Sequence, residues 1–285
     1  MPADPKPTVR RRRLGSALRR LREAKDLTLE DAARHLECHK ATISRLELGR
    51  SGVRTRDLRA LLSLYGVTET ARIDAFLEMA RKGKESGWWQ RHAGVLRPGY
   101  TDFIELEAEA AEIGCYEPLL VPGLLQTRDY ARAVISAYPS VRTEEDVEHR
   151  LEVRANRQNL LTDGRGIQLW AVIGEAALRS RIGGPETMDR QLHHLLSLTE
   201  LPNVTLQVLP IDAGEHPGGN GPFVIFTFPL PEESQVVCEE GLITTVYLDS
   251  PDEVKTYADA LDALRAAALS PRQSHAAIAE LLTDR

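Results

Sequence analysis

The stretch Leu27–Arg50, LTLEDAARHLECHKATISRLELGR, constrains this chain more than any other. Its apolar residues recur at helical spacing, stop once and then resume. Thr28 is placed to cap a first helix, with Asp31 three residues on completing a capping box. Ala32, Ala33 and Leu36 follow at helical spacing, and the small alanines let a crossing helix approach closely. Glu37, Cys38 and His39 break the pattern, and Ile43 and Leu46 restore it. Gly49 stands where a helix end needs a residue tolerant of positive φ. Two short helices joined by a tight turn follow, the second over about residues 40–48. Leu14, Leu18 and Leu21 mark an earlier helix, and Leu58, Leu61, Leu62 and Leu64 a later one. Ile73, Phe76, Leu77 and Met79 close the series, so residues 14–80 read as an all-α unit of about five helices.

Such a pair of helices presents a helix end to the edges of DNA bases. Charge points the same way. The whole chain carries a formal net charge of -6, which alone argues against nucleic acid. Up to Lys84, however, 20 basic residues face 11 acidic ones, and beyond it 16 face 31. A basic head on an acidic body is the asymmetry of a DNA reader carrying a separate module. Residues 1–13, with Pro2, Pro5, Pro7 and Arg10–Arg13, read as a disordered basic arm. It serves equally as a strand that follows phosphates or as a solubilising tail.

On these residues the segment from about Leu14 to Ala80 resembles the helix-turn-helix domain of the phage-repressor-like Xre regulators. ATISRLELG is similar to the family's recognition helix, and TLEDAARHL to the helix before it. The resemblance implies that Lys40, Ala41 and Arg45 face bases, with Thr42 and Ser44 nearer sugar or phosphate. Arg50 and, from the basic arm, Arg11 and Arg12 complete the expected DNA-contacting set. His39 stands where the family usually has Ser or Thr. It caps less well than a hydroxyl, and as an imidazolium it would meet a phosphate. The resemblance also implies an ion pair between Arg22 and Glu47, fixing the angle of the recognition helix. Leu29 offers at most an apolar contact to a thymine methyl.

At 285 residues and 42% hydrophobic content, the chain can bury one small core and one of ordinary size. No apolar run approaches a membrane span, and no secretory leader is evident, so a cytoplasmic protein associated with the nucleoid is expected. Cys38, Cys115 and Cys238 make no disulfide or zinc pattern. Cys38 reads as a small apolar residue rather than a redox sensor. Paired His193 and His194 lack a matching ligand at useful spacing, so neither a metal nor a cofactor is expected.

Residues 81–87 (RKGKESG) read as a linker, and Trp88 and Trp89 as anchors for the second domain, residues 88–285. That region mixes patterns. Helices are expected over 100–112, 127–137, 143–161, 185–200, 252–268 and 271–282, and short strands over 167–173, 204–209, 223–228, 235–238 and 244–248. Strands clustered between helical regions give an α+β domain rather than a repeating βαβ order. The phrases YEPLLVPGLLQTRDYARA at Tyr116–Ala133, GEHPGGNGPF at Gly214–Phe223 and VYLD at Val246–Asp249 resemble the C-terminal domain of unknown function found in many actinobacterial regulators. That resemblance implies a transcriptional regulator, often encoded beside a small partner protein, with no assigned chemistry.

Gly214–Phe223 holds four glycines and two prolines in ten residues. It lacks the endings of nucleotide-binding loops and reads as a hairpin connection rather than a ligand loop. Gln126, Tyr130 and His216 are the candidate ligand-pocket residues. The expectation is a multidomain, non-enzymatic regulator, homodimeric on a double-stranded operator, with no membrane association. Its second domain would sense a small-molecule effector or partner protein, or mediate dimerisation. The alternative is a toxin-like or enzyme-like body, with Glu215, His216 and Asp249 as its testable residues, behind an autoregulatory DNA-binding head.

Overall fold

The computed structural model describes residues 8–82, 88–92, 94, 96, 99–230, 232–233 and 235–283. The chain forms two compact units, one of Met1–Trp88 with Phe228–Gln235, the other of Trp89–Thr227 with Val236–Arg285.

The first unit holds helices α1 (Val9–Glu23), α2 (Leu29–His35), α3 (Lys40–Glu47), α4 (Thr55–Leu64) and α5 (Thr70–Lys82). Helix α1 takes in Arg10–Arg13, which the sequence reading assigned to a disordered arm. Thr8 caps it, its hydroxyl accepting from the Arg11 amide, and Val9 buries its side chain. Arg10 and Arg13 are buried with it. Residues 1–7, the rest of the expected arm, lie outside the described residues, as do 83–87 of the expected linker.

Thr28 and Asp31 close a capping box on α2. The chain then reverses at Glu37 (φ +50°), with the Cys38 amide donating back to the Ala33 carbonyl at 2.9 Å. Ala17, Leu18, Ala32, Ile43, Leu58, Leu62 and Phe76 form the heart of the core. Leu230 joins that core from the segment Phe228–Gln235. Within the same unit Glu233 pairs with Arg13, Glu232 pairs with Arg72, and the Arg13 guanidinium lies over the Phe228 ring.

The second unit runs α6 (Tyr100–Glu109), β1 (Glu112–Glu117), α7 (Arg128–Ser136), α8 (Glu144–Gln158), β2 (Gln168–Gly174), α9 (Glu175–Arg179) and α10 (Pro185–Leu198). It continues with β3 (Val204–Leu209), β4 (Phe223–Thr227), β5 (Val236–Glu240), β6 (Thr245–Leu248), α11 (Pro251–Ala267) and α12 (Pro271–Thr283). The strands make one mixed sheet in the order β3-β2-β1-β4-β5-β6. Strands β1, β2 and β3 are parallel, and β4, β5 and β6 are added antiparallel. The N-terminal all-α unit and this mixed α+β unit give the expected fold class.

Two local expectations change. Strand β1 was not anticipated, and it pairs with parallel β2 on one edge and antiparallel β4 on the other. The connection between β3 and β4 is not a hairpin, because β2 and β1 lie between them. Instead β4 pairs with β1, setting Cys115 opposite Val224 and Gly114 opposite Ile225.

The two faces of β1 differ. On one, Tyr116 joins Leu261 and Leu264 of α11. A Cβ on Gly114 would stand 2.6 Å from Leu261 Cδ2, so glycine there lets α11 sit close against the sheet. Ile113, Cys115 and Glu117 alternate to the opposite face, which carries a cavity.

Candidate functional site

Helix α3 buries Ile43, Leu46 and Glu47 and turns its other side outward. Ala41 and Arg45 are exposed, and Thr42 and Ser44 partly so. Exposed Lys40 pairs with Glu30 of α2 at 2.5 Å. His39 is the N-cap residue and makes no side-chain capping hydrogen bond, as its imidazole predicts. Arg50 and Arg11 are exposed and Arg12 is half-buried.

Three contacts hold α3 against α1. Arg22 donates from Nε to Glu47 Oε1 at 2.7 Å and from Nη2 to Oε2 at 2.9 Å. Its Nη1 reaches the Leu27 carbonyl at 2.6 Å, so one guanidinium ties α1, α3 and the approach to α2 together. The hydrogen bond it donates to Glu47 holds the Arg22 pKa above its ordinary value, and burial pushes the neighbouring Tyr65 phenol up. Gly15 provides the second contact, since a Cβ there would lie 2.4 Å from the Glu47 carbonyl oxygen. Gly49 provides the third. At φ +69° it donates to the Leu46 carbonyl, and a Cβ would lie 2.7 Å from the Arg12 backbone nitrogen. The outward surface of α3 is therefore carried on a rigid mount.

Cys38 packs against the core, and burial raises its thiol pKa, which makes it less reactive than a free thiol.

The second unit encloses a cavity of about 290 Å³ between the sheet and α6, α7 and α8. That is the small end of the range for ligand pockets, about 300–1,000 Å³. Its lining takes in Ile113, Cys115 and Glu117 of β1, the strand that pairs with parallel β2 on one side and antiparallel β4 on the other. Arg150, Arg154 and Arg157 line it from one face of α8, at positions i, i+4 and i+7. Arg157 is fully buried and forks onto both oxygens of Glu107, at 2.6 and 2.7 Å, while also donating to the Tyr100 hydroxyl. Burial alone would lower its pKa, and Glu107 beside it reverses the shift upward. Glu117, the last residue of β1, is pushed up to about 8 by burial and by Glu240, against the pull of Arg154. At neutral pH this carboxyl is therefore mostly protonated and able to donate a hydrogen bond.

The loop from Pro118 to Thr127 forms one wall and is tied down along its length. Gln126 donates to the Val121 carbonyl at 2.7 Å and accepts from Arg154 at 2.7 Å. The Tyr130 hydroxyl accepts from the Val121 amide, and Gln191 holds the Leu125 carbonyl and the Thr127 amide. Of the three pocket candidates named from sequence, Gln126 lines the cavity and Tyr130 is buried beside it, supporting its wall. His216 lies apart from its lining. The His216 ring packs edge-on to Tyr116, and its Nδ1 accepts from the Gly218 amide at 3.1 Å. A Cβ on Gly218 would fall 2.4 Å from the Tyr116 ring, so the glycine-rich loop seats against the sheet. Among the described residues no group of three or more His, Cys, Asp and Glu side chains is placed to hold a metal.

Glu107, Glu117, Arg154 and Arg157 were missed from sequence. The i, i+4, i+7 arginine spacing on α8 was the available signal, hidden by the many other charges of that helix.

No helix among the described residues is long and apolar enough to cross a membrane. Comparison with known proteins finds two family matches. Residues 13–75 match a helix-turn-helix domain, and residues 100–280 match a domain of unknown function, DUF5753. No curated protein and no solved structure matches the chain. With the second match covering more than half of its length, the chain belongs to the DUF5753 family, as an Xre-like helix-turn-helix regulator bearing that domain at its C-terminal side.

Proposed function

We propose that the protein is a sequence-specific transcriptional regulator. Helix α3 enters the major groove of a double-stranded operator, while the second unit senses a small molecule or partner protein or mediates dimerisation. The observation that carries the reading is the mounting of α3. Its exposed Ala41 and Arg45 sit on a helix clamped by the Arg22–Glu47 fork and by two glycines that admit close backbone contact. Base readout needs a side chain held in register, and a forked arginine on guanine is the commonest specific contact in the groove. Lys40 joins Ala41 and Arg45 toward the bases, and Thr42, Ser44, His39, Arg50, Arg11 and Arg12 supply the surrounding contacts to phosphate and sugar. A homodimer would place two heads about 34 Å apart, on half-sites one helical turn apart. The protein needs no cofactor, performs no catalysis and works in the cytoplasm on the nucleoid.

Genome-wide mapping of bound DNA, with Arg45→Ala as control, tests this reading. Discrete sites sharing a palindrome, lost in the variant, support it. Binding by the intact protein that shows no sequence preference removes it.

A further inference from the structure

The cavity of the second unit contains two polar groups whose hydrogen-bonding capacity is unspent. Arg154 uses Nη1 on the neutral Gln126, and its guanidinium lies against the backbone of Gly123, where a Cβ would come within 2.6 Å. Its Nε and Nη2 have no hydrogen-bond partner among the described residues. The Glu117 carboxyl likewise has no hydrogen-bond partner among them, and the charge of Arg154 acts on it without a direct hydrogen bond. Arg157 and Glu107 satisfy each other. The cavity thus contains a guanidinium with two open donors and a carboxyl without a hydrogen-bond partner, between apolar walls that include Phe103, Ile113, Leu169 and Val224.

We propose that this cavity binds a small amphipathic carboxylic acid, its carboxylate bridging Arg154 and Glu117 and its apolar body lying on the sheet side. This deepens the sensing role proposed above and names the ligand class. A carboxylate matches the planar fork of arginine and fills the two donors that Arg154 leaves open. The bound carboxylate also accepts from Glu117, which stays protonated.

An ammonium ligand fits less well. It would need Glu117 ionised beside Glu240 of β5, where burial and that second carboxylate both oppose ionisation. The other titratable groups lining the cavity are Arg150 and the mutually paired Arg157 and Glu107, Tyr138 just beyond α7, Tyr100 on α6 and Cys115 on β1. Burial raises the Cys115 thiol pKa, so that group adds no charge at pH 7.

The test is calorimetric titration of the full chain, without DNA, with octanoate and 4-phenylbutyrate. Octylamine, 4-phenylbutylamine and octanol serve as matched probes. The carboxylates bind more tightly than amines or alcohol, and proton uptake accompanies binding at pH 8, read from two buffers of different ionisation enthalpy. Affinity falls about tenfold from pH 7 to pH 9 as Glu117 loses its proton. Glu117→Gln keeps a donor and so binds with that pH dependence removed, whereas Arg154→Met abolishes binding. Arg154→Lys, which preserves the charge, replaces it if the methionine variant melts early, and binds at least tenfold more weakly. Tighter binding of the amines, affinity rising with pH, or no carboxylate binding at millimolar concentration overturns the assignment. Because no DNA is present, such a failure leaves the operator-binding reading untouched, and the reverse also holds.

Discussion

Gly15 of α1 faces the last turn of α3 so closely that a methyl group there would stand 2.4 Å from the Glu47 carbonyl oxygen. The atom it would meet is backbone, which cannot rotate away. Gly15→Ala should therefore lower the stability of the first unit by about 1–3 kcal/mol, the usual cost of overpacking. It should also shift α3, so operator affinity falls by more than the small unfolded fraction explains. Urea denaturation and DNA titration on the same preparation separate the two effects. Unchanged stability would show that α1 and α3 are less tightly opposed.

The Arg22–Glu47 fork is a second joint between the same helices. Removing either partner strands a buried charge, and Arg22→Met or Glu47→Leu alone should cost about 3–5 kcal/mol. The double variant should lose much less than the sum. A double-mutant cycle with little coupling would reduce the pair to a surface contact.

His39 offers a gain. It occupies the N-cap position of α3 without capping the helix. His39→Ser supplies the missing acceptor and should stabilise the first unit by about 0.5–1 kcal/mol. Thermal unfolding of the two proteins side by side measures the gain. No rise would mean that solvent already satisfies the helix end.

Glu117 links stability to pH. Its folded-state pKa of about 8 lies above that of an unfolded carboxyl, about 4.3. The folded chain therefore holds more protons between those values. Stability from this group is full below the lower value and is lost as pH rises through the upper one. Glu117→Gln should flatten that decline and raise stability at pH 8.5 by up to about 5 kcal/mol. Urea midpoints from pH 5 to 9 test it, and parallel curves for the two proteins would exclude the linkage.

On DNA, Arg11 and Arg45 should separate by kind. Arg11→Ala should weaken binding to all sequences alike and reduce the slope of log affinity against log salt by about one. Arg45→Ala should cost about 1–3 kcal/mol on the preferred site and little elsewhere. Equal losses on specific and random DNA for both variants would dismiss the division of roles.

The helical head was readable because its signals agree. Capping box, apolar spacing and helix-end glycine at Thr28–Asp31, Ile43–Leu46 and Gly49 each follow from local chemistry, and α2 and α3 form there. The start of α1 was not readable, because a run of arginines after prolines looks solvated. In the folded chain Arg10 and Arg13 are buried, and Arg13 pairs with Glu233, more than two hundred residues away. Strand β1 escaped for a different reason. It is covered on both faces, so Ile113–Tyr116 shows no alternation, and Gly114 reads as a break. Glu107 and Arg157 looked like ordinary helix charges, since nothing local says that two such residues fifty positions apart will meet in the interior. Gln126 was reachable because its loop carries a recognisable phrase.

The cavity walls come from segments as distant as Leu96, Leu169 and Leu242. No single loop or helix owns the space, which comes into being only when the sheet closes around β1. A molecule lodged there would interact with the native unit and not with the unfolded chain, so its concentration would set how much of the unit survives heat or protease. Occupancy would then govern the lifetime of the protein in the cell as directly as any effect on DNA.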